Sequence, residues 1–256
     1  MSTMHPGAMR PHPANTTRPA AVINPQRWLL LGIQDYRRAR KVGLAYGLAV
    51  TVIGWLILAL GNHPYFIAAA ISGFFLVGPI LGAGLIEASM TLEAGGTPTF
   101  DSSLRGLDRN GPALARFALA LLGISIAWLA LSTALLVVAM GPIAPPVQET
   151  LWDSTVQLMS SRQLLAWFAI GGVLAVLTFS ISVISVPLIL DRHASAGEAM
   201  RGSLRAVSRH PLACITWAFL IVLLSAIGFA TALIGLIVIY PILGHASWHA
   251  YRALQD

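Results

Sequence analysis

The sequence predicts an all-α, polytopic membrane protein whose six transmembrane helices form three repeats of an amphipathic cytoplasmic helix followed by a transmembrane hairpin. Three observations predict this fold class: the composition, the lengths of the apolar runs and a pattern that recurs along the chain. Of the 256 residues, 56% are hydrophobic and only 10% are charged, and the mean hydropathy is +0.74. Soluble domains carry about a quarter charged residues, so a soluble fold could not bury this much apolar surface.

The first 24 residues differ in composition from the rest of the chain. They contain prolines among small polar residues, and they lack the apolar core of a signal peptide. A segment of this kind buries too little apolar surface to fold. We therefore expect residues 1–24 to be a disordered cytoplasmic tail and residues 25–256 to form a single membrane domain.

Apolar runs long enough to cross a bilayer follow this tail. A hydrocarbon core of about 30 Å requires roughly 20 helical residues. The predicted spans are 42–60, 65–87, 113–140, 163–190, 212–227 and 229–249. The last two come from one apolar run that is too long for a single span, and we place a tight turn between them at Gly228.

The basic residues predict the orientation. In the six-span topology with a cytoplasmic N-terminus, Arg162 is the only one of the 16 Lys and Arg residues on the outer side. This bias predicts a multi-pass protein of the bacterial inner membrane with both termini in the cytoplasm. The sequence pI of about 10.2 therefore reflects topology, and we expect the lipid bilayer as a partner rather than nucleic acid. The outer segment 141–162 is expected to include a short interfacial helix.

An internal repeat is visible in the cytoplasmic segments. The tripeptide Ser-Leu-Arg at 103–105 recurs at 203–205, each time shortly before an apolar run. Apolar residues spaced i, i+4, i+7 define one helical face, and this spacing occurs three times. The three sets are Leu29, Ile33 and Tyr36; Phe100, Leu104 and Leu107; and Met200, Leu204 and Val207. The predicted repeats cover about 25–87, 96–190 and 196–250.

The second span of each predicted hairpin carries a proline that is expected to kink or loosen the helix near its cytoplasmic half. Pro79-Ile80-Leu81-Gly82 recurs as Pro241-Ile242-Leu243-Gly244, and Pro187-Leu188-Ile189-Leu190 is the middle version. Steps of four residues from these prolines stay on one helical face and place polar side chains at similar depth. These side chains are Glu87, Asp191, His245 and His249. If the hairpins surround a pseudo-threefold axis, the four residues converge.

This cluster is the candidate site. Histidine with carboxylate is a ligand set that suits zinc, iron or manganese, so Glu87, Asp191, His245 and His249 are predicted as candidate metal ligands. Three alternatives stay open: hydrogen bonds from the histidines to loops, ion pairing or helix capping by the two acids, and a proton relay through the acids. The single cysteine, Cys214, provides no disulfide or thiolate cage. No cofactor and no catalytic residue is predicted.

Four segments carry a resemblance to a known family. They are Gly32 to Tyr36 with Arg37-Arg38, Gly73 to Glu87, Pro187 to Arg192, and the closing segment Pro241 to His249. At these residues the chain resembles the DUF2189 family of bacterial integral membrane proteins, over nearly all of Pro25 to Asp256. The resemblance implies a membrane fold and location. Such proteins are sometimes labelled as related to cytochrome c oxidase subunits, but two histidines at the end of one helix cannot supply haem and copper sites.

Three classes of function are compatible with these features. We expect an integral inner-membrane protein without catalytic activity that acts as a structural, accessory or assembly subunit of a larger respiratory or photosynthetic complex. A small-molecule or ion transporter or channel would fit the repeats and the proline-broken helices, although few polar residues lie at the predicted midplane. A membrane enzyme or metal-binding protein would depend on the Glu/Asp/His cluster at the cytoplasmic edge.

The topology can be tested by cysteine labelling in intact cells. Cysteines introduced at Arg105 and Arg205 are expected to react only from the cytoplasmic side, because both positions precede a predicted span in the basic segments. A cysteine at Glu149 is expected to react with an impermeant reagent from outside. Labelling of position 105 from outside would contradict the predicted orientation.

Overall fold

The computed structural model describes residues 23–60, 81–140 and 160–255, and all regular structure in these ranges is helical. The helices are α1 (Pro25–Arg38), α2 (Arg40–Leu60), α3 (residues 81–93), α4 (Phe100–Met140), α5 (Ser161–Ser182), α6 (Ser185–Arg192), α7 (Ala196–Arg209), α8 (Pro211–Ala230) and α9 (Leu236–Leu254). The predicted all-α class is therefore confirmed over the described residues. Most of the predicted tail 1–24 and most of the outer segment 141–162 lie outside them.

Four helical stretches within the described ranges are long and apolar enough to cross a membrane. They are Arg40–Ala59, Phe100–Ser132, Ser161–Arg192 and Pro211–Ala230. These stretches overlap the first, third, fourth and fifth predicted spans. Most of the second predicted span, 65–87, lies outside the described residues, and the sixth, 229–249, overlaps α9, which is not one of the four. The chain is an integral membrane protein with several apolar helices.

Helix α9 is the centre of the packing. It lies along α1 and α2 and also contacts α6 and α8. Gly32 of α1 allows a close approach to α9, because a Cβ atom at this position would come within 2.7 Å of Ala246. Where lipid removes the usual hydrophobic driving force between helices, small residues at the contact let the backbones approach and the side chains interlock.

The hairpin between α8 and α9 turns later than the sequence predicts. The turn occupies residues 231–235, and the prediction of a turn at Gly228 is wrong, because Gly228 lies inside α8. Because Gly228 has no side chain, Leu236 at the start of α9 packs directly against α8, where a Cβ atom would overlap it. The turn itself uses Ala232 and Leu233 in the left-handed region, with φ of 49° and 70°.

The second amphipathic segment and the third predicted span form one continuous helix. The sequence predicts an amphipathic helix followed by the span 113–140, but α4 runs unbroken from Phe100 to Met140 and contains both Asn110 and Pro112. Asn110 does not cap a helix. Its Nδ2 donates to Gly106 O at 3.2 Å, and its Oδ1 lies 2.8 Å from Nδ1 of His193, just beyond α6. At about 1.5 Å per residue, α4 is roughly twice as long as the hydrocarbon core is thick, so part of it projects beyond the bilayer.

The amphipathic segments bury a face of small residues beside the predicted apolar face. Ser103 and Ser203 are 0% exposed, whereas the exposed fractions of Phe100 and Leu204 are 48% and 43%. Leu104 is half-buried. Small side chains therefore lie at buried helix contacts. Phe100 and Leu204 stay at the surface, where we expect the bilayer interface to cover them, while Leu107, Met200 and Val207 pack against the core.

The fourth predicted span, 163–190, is interrupted between α5 and α6, and Ser203 of α7 bonds to the backbone at the interruption. Pro187 cannot donate a backbone hydrogen bond, and the regular helix is lost at residues 183–184. The Ser203 hydroxyl replaces the broken bond, because it donates to Ser180 O at 2.7 Å and accepts from Ile184 N at 3.4 Å. A side chain from α7 thus satisfies the backbone groups that the interruption leaves free.

Removal of this hydroxyl is expected to destabilise the protein. Ser203→Ala leaves Ser180 O and Ile184 N without a partner in a buried region, and we expect the free energy of unfolding to fall by about 1–3 kcal/mol. Unfolding of the detergent-solubilised protein, followed by circular dichroism, measures the change. Ser208→Ala is the matched control, because Ser208 is exposed on the same helix and bonds only to Arg205 O. Equal effects of the two substitutions would contradict the role of Ser203.

Candidate functional site

A chain of polar side chains connects α1, α3 and α9, and we call these four residues the Asp35 cluster: Asp35, Ser89, His245 and His249. The Nε2 atom of His249 lies 2.8 Å from Oδ2 of Asp35. The Ser89 hydroxyl donates to the same oxygen at 2.8 Å and lies 2.8 Å from Nδ1 of His245. His245 is 0% exposed, Ser89 1% and Asp35 7%, so most of the cluster is buried.

The local sequence places these side chains together. Asp35 lies one helical turn after Gly32, the residue that brings α1 against α9. His245 and His249 are four residues apart and therefore lie on one face of α9, which faces α1 and α3. The close approach of the two backbones at Gly32 brings Asp35 within hydrogen-bonding distance of His249.

The hydrogen bonds assign the proton positions in the cluster. An ionised carboxylate only accepts hydrogen bonds, so the Ser89 proton points to Asp35 and the Ser89 oxygen accepts from Nδ1–H of His245. The neutral His245 ring then carries a bare lone pair on Nε2, which is buried and makes no hydrogen bond with any described residue. Ser89, itself bonded to Asp35, thus fixes the orientation of the His245 ring. The second ring nitrogen, Nε2, has no hydrogen-bond partner among the described residues.

Asp35 is held in its charged form. Burial raises the pKa of the Asp35 carboxyl, but the hydrogen bond and charge of His249 and the hydrogen bond from Ser89 more than offset burial, and its pKa lies below the ordinary value of 3.8. The cluster therefore contains a carboxylate anion at neutral pH.

The structure divides the four predicted ligands among separate contacts. Glu87 accepts two hydrogen bonds from Nη2 of Arg109, at 2.7 and 2.9 Å. Asp191 accepts a hydrogen bond from the Tyr251 hydroxyl at 2.6 Å. His245 and His249 belong to the Asp35 cluster. In the described part of the chain, no group of three or more His, Cys, Asp or Glu side chains is arranged to hold a metal ion.

The reason for this division is the position of α9. His245 and His249 lie on the face of α9 that meets α1 and α3, while Tyr251, two residues further along, lies on another face and meets α6. The three helices that carry Glu87, Asp191 and His245 do touch, through Ser89 and Tyr251. Metal binding by Glu87, Asp191, His245 and His249 stays a prediction.

Sequence reasoning missed the residues that complete these contacts: Asp35, Ser89, Arg109 and Tyr251. A signal for Asp35 was present, because it is the one acid in a basic amphipathic helix and lies directly before Tyr36, a member of the predicted buried face. An acid at the edge of a buried face requires a partner. The identity of that partner depends on which helix packs against α1.

A polar cavity of about 260 Å³ opens beside the cluster. Its polar lining consists of Gln34, Asp35, Arg38, Ser89, Glu93, His249 and Arg252. Glu93 forms an ion pair with Arg252 at 3.1 Å and accepts a hydrogen bond from Trp248 Nε1 at 2.8 Å. The walls therefore present charges of both signs.

The state of Asp35 predicts a pH dependence. A carboxyl whose pKa is lower in the folded than in the unfolded protein adds stability above its unfolded pKa, and this stability is lost as the pH falls through its folded pKa. We expect wild type to unfold at a higher temperature than Asp35→Asn near neutral pH, and the difference to shrink as the pH falls below about 4. Thermal unfolding of both proteins in detergent between about pH 3 and pH 7 measures it. A difference that grows on acidification would contradict this account.

Comparison with known proteins agrees with the membrane fold. Residues 66–191 match the model of a family described as predicted integral membrane protein, DUF2189. Searches of curated proteins and of solved structures found no significant match. The matched segment contains Glu87 and Asp191, while Asp35, His245 and His249 lie outside it. The resemblance to the DUF2189 family noted from the sequence is therefore confirmed over residues 66–191, which match the model of these predicted integral membrane proteins.

Proposed function

We propose that this protein is a structural or assembly subunit of a larger membrane complex, of the respiratory or photosynthetic kind, in the bacterial inner membrane. The observation that carries the proposal is an apolar groove of about 750 Å³ between α4 and α5. The groove lies between two helices that are long and apolar enough to cross the membrane. Its occupant in this proposal is a transmembrane helix of a partner protein.

The groove is shaped by side chains that hold α4 and α5 together and by small residues along its wall. The rings of Trp128 and Trp167 are in tilted contact, with centroids 5.3 Å apart and an interplanar angle of 48°. The Trp167 indole donates to the Ser132 hydroxyl at 2.6 Å. The Trp128 ring occupies the space beside Gly171, but a Cβ atom at Gly172 would meet no atom within 4 Å. One face of the groove is therefore open to a close neighbour.

A partner helix suits this groove because of how helices associate in lipid. Association there relies on close packing at small residues and on hydrogen bonds between helices. Gly172 permits close approach, and Ser125 and Thr178 line the same groove with hydroxyl groups. A purely apolar occupant would make no use of these hydroxyls.

The buried polar contacts support a structural role over a catalytic one. Glu87 joins α3 to α4 through Arg109, Asp191 joins α6 to α9 through Tyr251, and Asp35 joins α1 to α9 through His249. Each of these acids thus links two helices of the same chain. Polar contacts of this kind hold helix bundles together in membranes.

The pattern of helix contacts also supports the six-span, three-repeat arrangement with cytoplasmic termini. Helix α1 packs against α9, the start of α4 contacts α3 through Arg109 and Glu87, and α7 packs against α5 and α6. Each predicted amphipathic helix thus contacts the second helix of the preceding repeat, and the first closes on the last. The ion pairs and hydrogen bonds of these basic segments lie together at the proposed cytoplasmic ends.

A matched pair of glycine substitutions tests the groove. Gly172→Leu extends a side chain into the groove from a position where an added Cβ atom meets nothing, so we expect normal abundance in the membrane but at least a several-fold loss of proteins that co-purify in mild detergent. Gly123→Leu is the control, because a Cβ atom there also meets nothing within 4 Å, but Gly123 does not line the groove. Quantitative mass spectrometry of the purified material measures both.

Two outcomes would contradict the proposal. If both variants retain the same co-purifying proteins as wild type, the groove does not bind a partner. If the groove retains only phospholipid in wild type, its occupant is lipid rather than a protein helix. The transporter alternative would instead be favoured if the protein in reconstituted vesicles carries a substrate-dependent flux and Gly172→Leu abolishes this flux.

A further inference from the structure

The polar cavity beside the Asp35 cluster carries unused binding groups of opposite charge. Both contacts of the Asp35 carboxylate use Oδ2, and no described residue forms a hydrogen bond with Oδ1. The Arg38 guanidinium lines the same cavity, is exposed and forms no ion pair with a described residue. A carboxylate with one oxygen free of described partners and an arginine free of described ion pairs therefore belong to residues that line the same cavity.

These two groups do not neutralise each other, although they lie three residues apart on α1. Residues at this spacing are neighbours on a helix surface, and an Asp–Arg pair at this spacing commonly forms an ion pair. Instead Asp35 points toward α3 and α9, where Ser89 and His249 bind Oδ2, and Arg38 lines the cavity without pairing with Asp35. The separation leaves room for a ligand that pairs with both.

We propose that this cavity binds the zwitterionic headgroup of an aminophospholipid, with its primary ammonium on Asp35 Oδ1 and its phosphate on Arg38. An ammonium donates three hydrogen bonds, and a carboxylate oxygen accepts them. A guanidinium matches the oxygens of a phosphate group. Arg252 is a second cation on the wall, although it is engaged with Glu93.

The size and position of the cavity fit a headgroup. Pockets for drug-sized ligands measure about 300–1,000 Å³, so a volume of about 260 Å³ suits a smaller group. Leu31 and Leu92 form an apolar part of the wall. The cavity lies at the end of α1, directly before Arg40, where the first membrane-spanning stretch begins. A headgroup at this depth keeps its acyl chains in the bilayer.

The charges around the cavity favour a zwitterion over a simple anion. From α1 it receives Asp35 and Arg38, from the end of α3 Glu93, and from α9 His249 and Arg252. Two carboxylates beside the cations repel a ligand that carries only negative charge. The ionised state of Asp35, whose pKa is lowered, keeps the acceptor for the ammonium charged.

The test uses the full-length protein reconstituted in nanodiscs of phosphatidylethanolamine, phosphatidylcholine and phosphatidylglycerol in equal amounts. Native mass spectrometry of the released protein measures which lipid is retained. We expect enrichment of phosphatidylethanolamine over phosphatidylcholine, because the methylated amine of choline cannot donate hydrogen bonds to Asp35. Enrichment of phosphatidylglycerol, or equal retention of all three, would overturn the proposal.

Substitutions on α1 assign the retention to this cavity. Arg38→Gln removes the phosphate-binding cation from an exposed position, and we expect about a tenfold loss of phosphatidylethanolamine enrichment. Arg37→Gln is the matched control, because Arg37 is the exposed neighbour that does not line the cavity. Asp35→Asn is expected to abolish the discrimination between ethanolamine and choline. Identical behaviour of Arg38→Gln and Arg37→Gln would overturn the assignment.

A soluble competitor distinguishes a lipid from a free metabolite with the same headgroup. Glycerophosphoethanolamine added at about the lipid concentration is expected to leave the bound lipid in place, since the lipid also gains from its acyl chains. Displacement of the lipid by this compound would show that the cavity binds the ammonium and phosphate groups alone, and the lipid assignment would fail.

Discussion

The close packing of α1 against α9 at Gly32 is the constraint on which the polar centre of this protein depends. Because Gly32 has no side chain, the backbones come close enough for Asp35 to reach His249 and, through Ser89, His245. A side chain at this position would separate the helices and leave a carboxylate and an imidazole buried without partners. Such groups are costly in a low-dielectric interior, so the packing and the hydrogen bonds require each other.

The same principle operates where the helix between α5 and α6 is interrupted. Backbone groups in a membrane protein need partners within the protein, and Ser203 supplies one hydroxyl for both Ser180 O and Ile184 N. Ser103, at the matching place in the other Ser-Leu-Arg segment, bonds to the Tyr46 hydroxyl of α2 at 2.9 Å. The two Ser-Leu-Arg segments are therefore attached to the bundle by buried serines, while Phe100 and Leu204 of the same segments remain at the surface.

The arrangement of ionisable groups bears on function. Glu87, Asp35 and Asp191 each face a donor from another helix, and this pairing accounts for the burial of Glu87 and Asp35 without any substrate. Two features are left over once these contacts are satisfied: the groove beside Gly172, which has no side chain to fill it, and the cavity that Asp35 and Arg38 both line. The first supports a partner helix and the second a zwitterionic headgroup, and both would place the protein in contact with other membrane components rather than with a soluble substrate.

The sequence by itself determined the class of the protein, because composition and the length of apolar runs are sufficient to distinguish a membrane bundle from a soluble domain. Local patterns also predicted the amphipathic segments and the shared face of His245 and His249, since helical periodicity depends only on spacing along the chain. Tertiary structure decided the rest. Asn110 lies within a continuous helix and meets His193, the hairpin turns after Gly228, against which Leu236 packs, and His249 meets Asp35 rather than Glu87. Each of these outcomes depends on which helix lies next to which, and spacing along the chain carries no information about neighbours that are far apart in sequence.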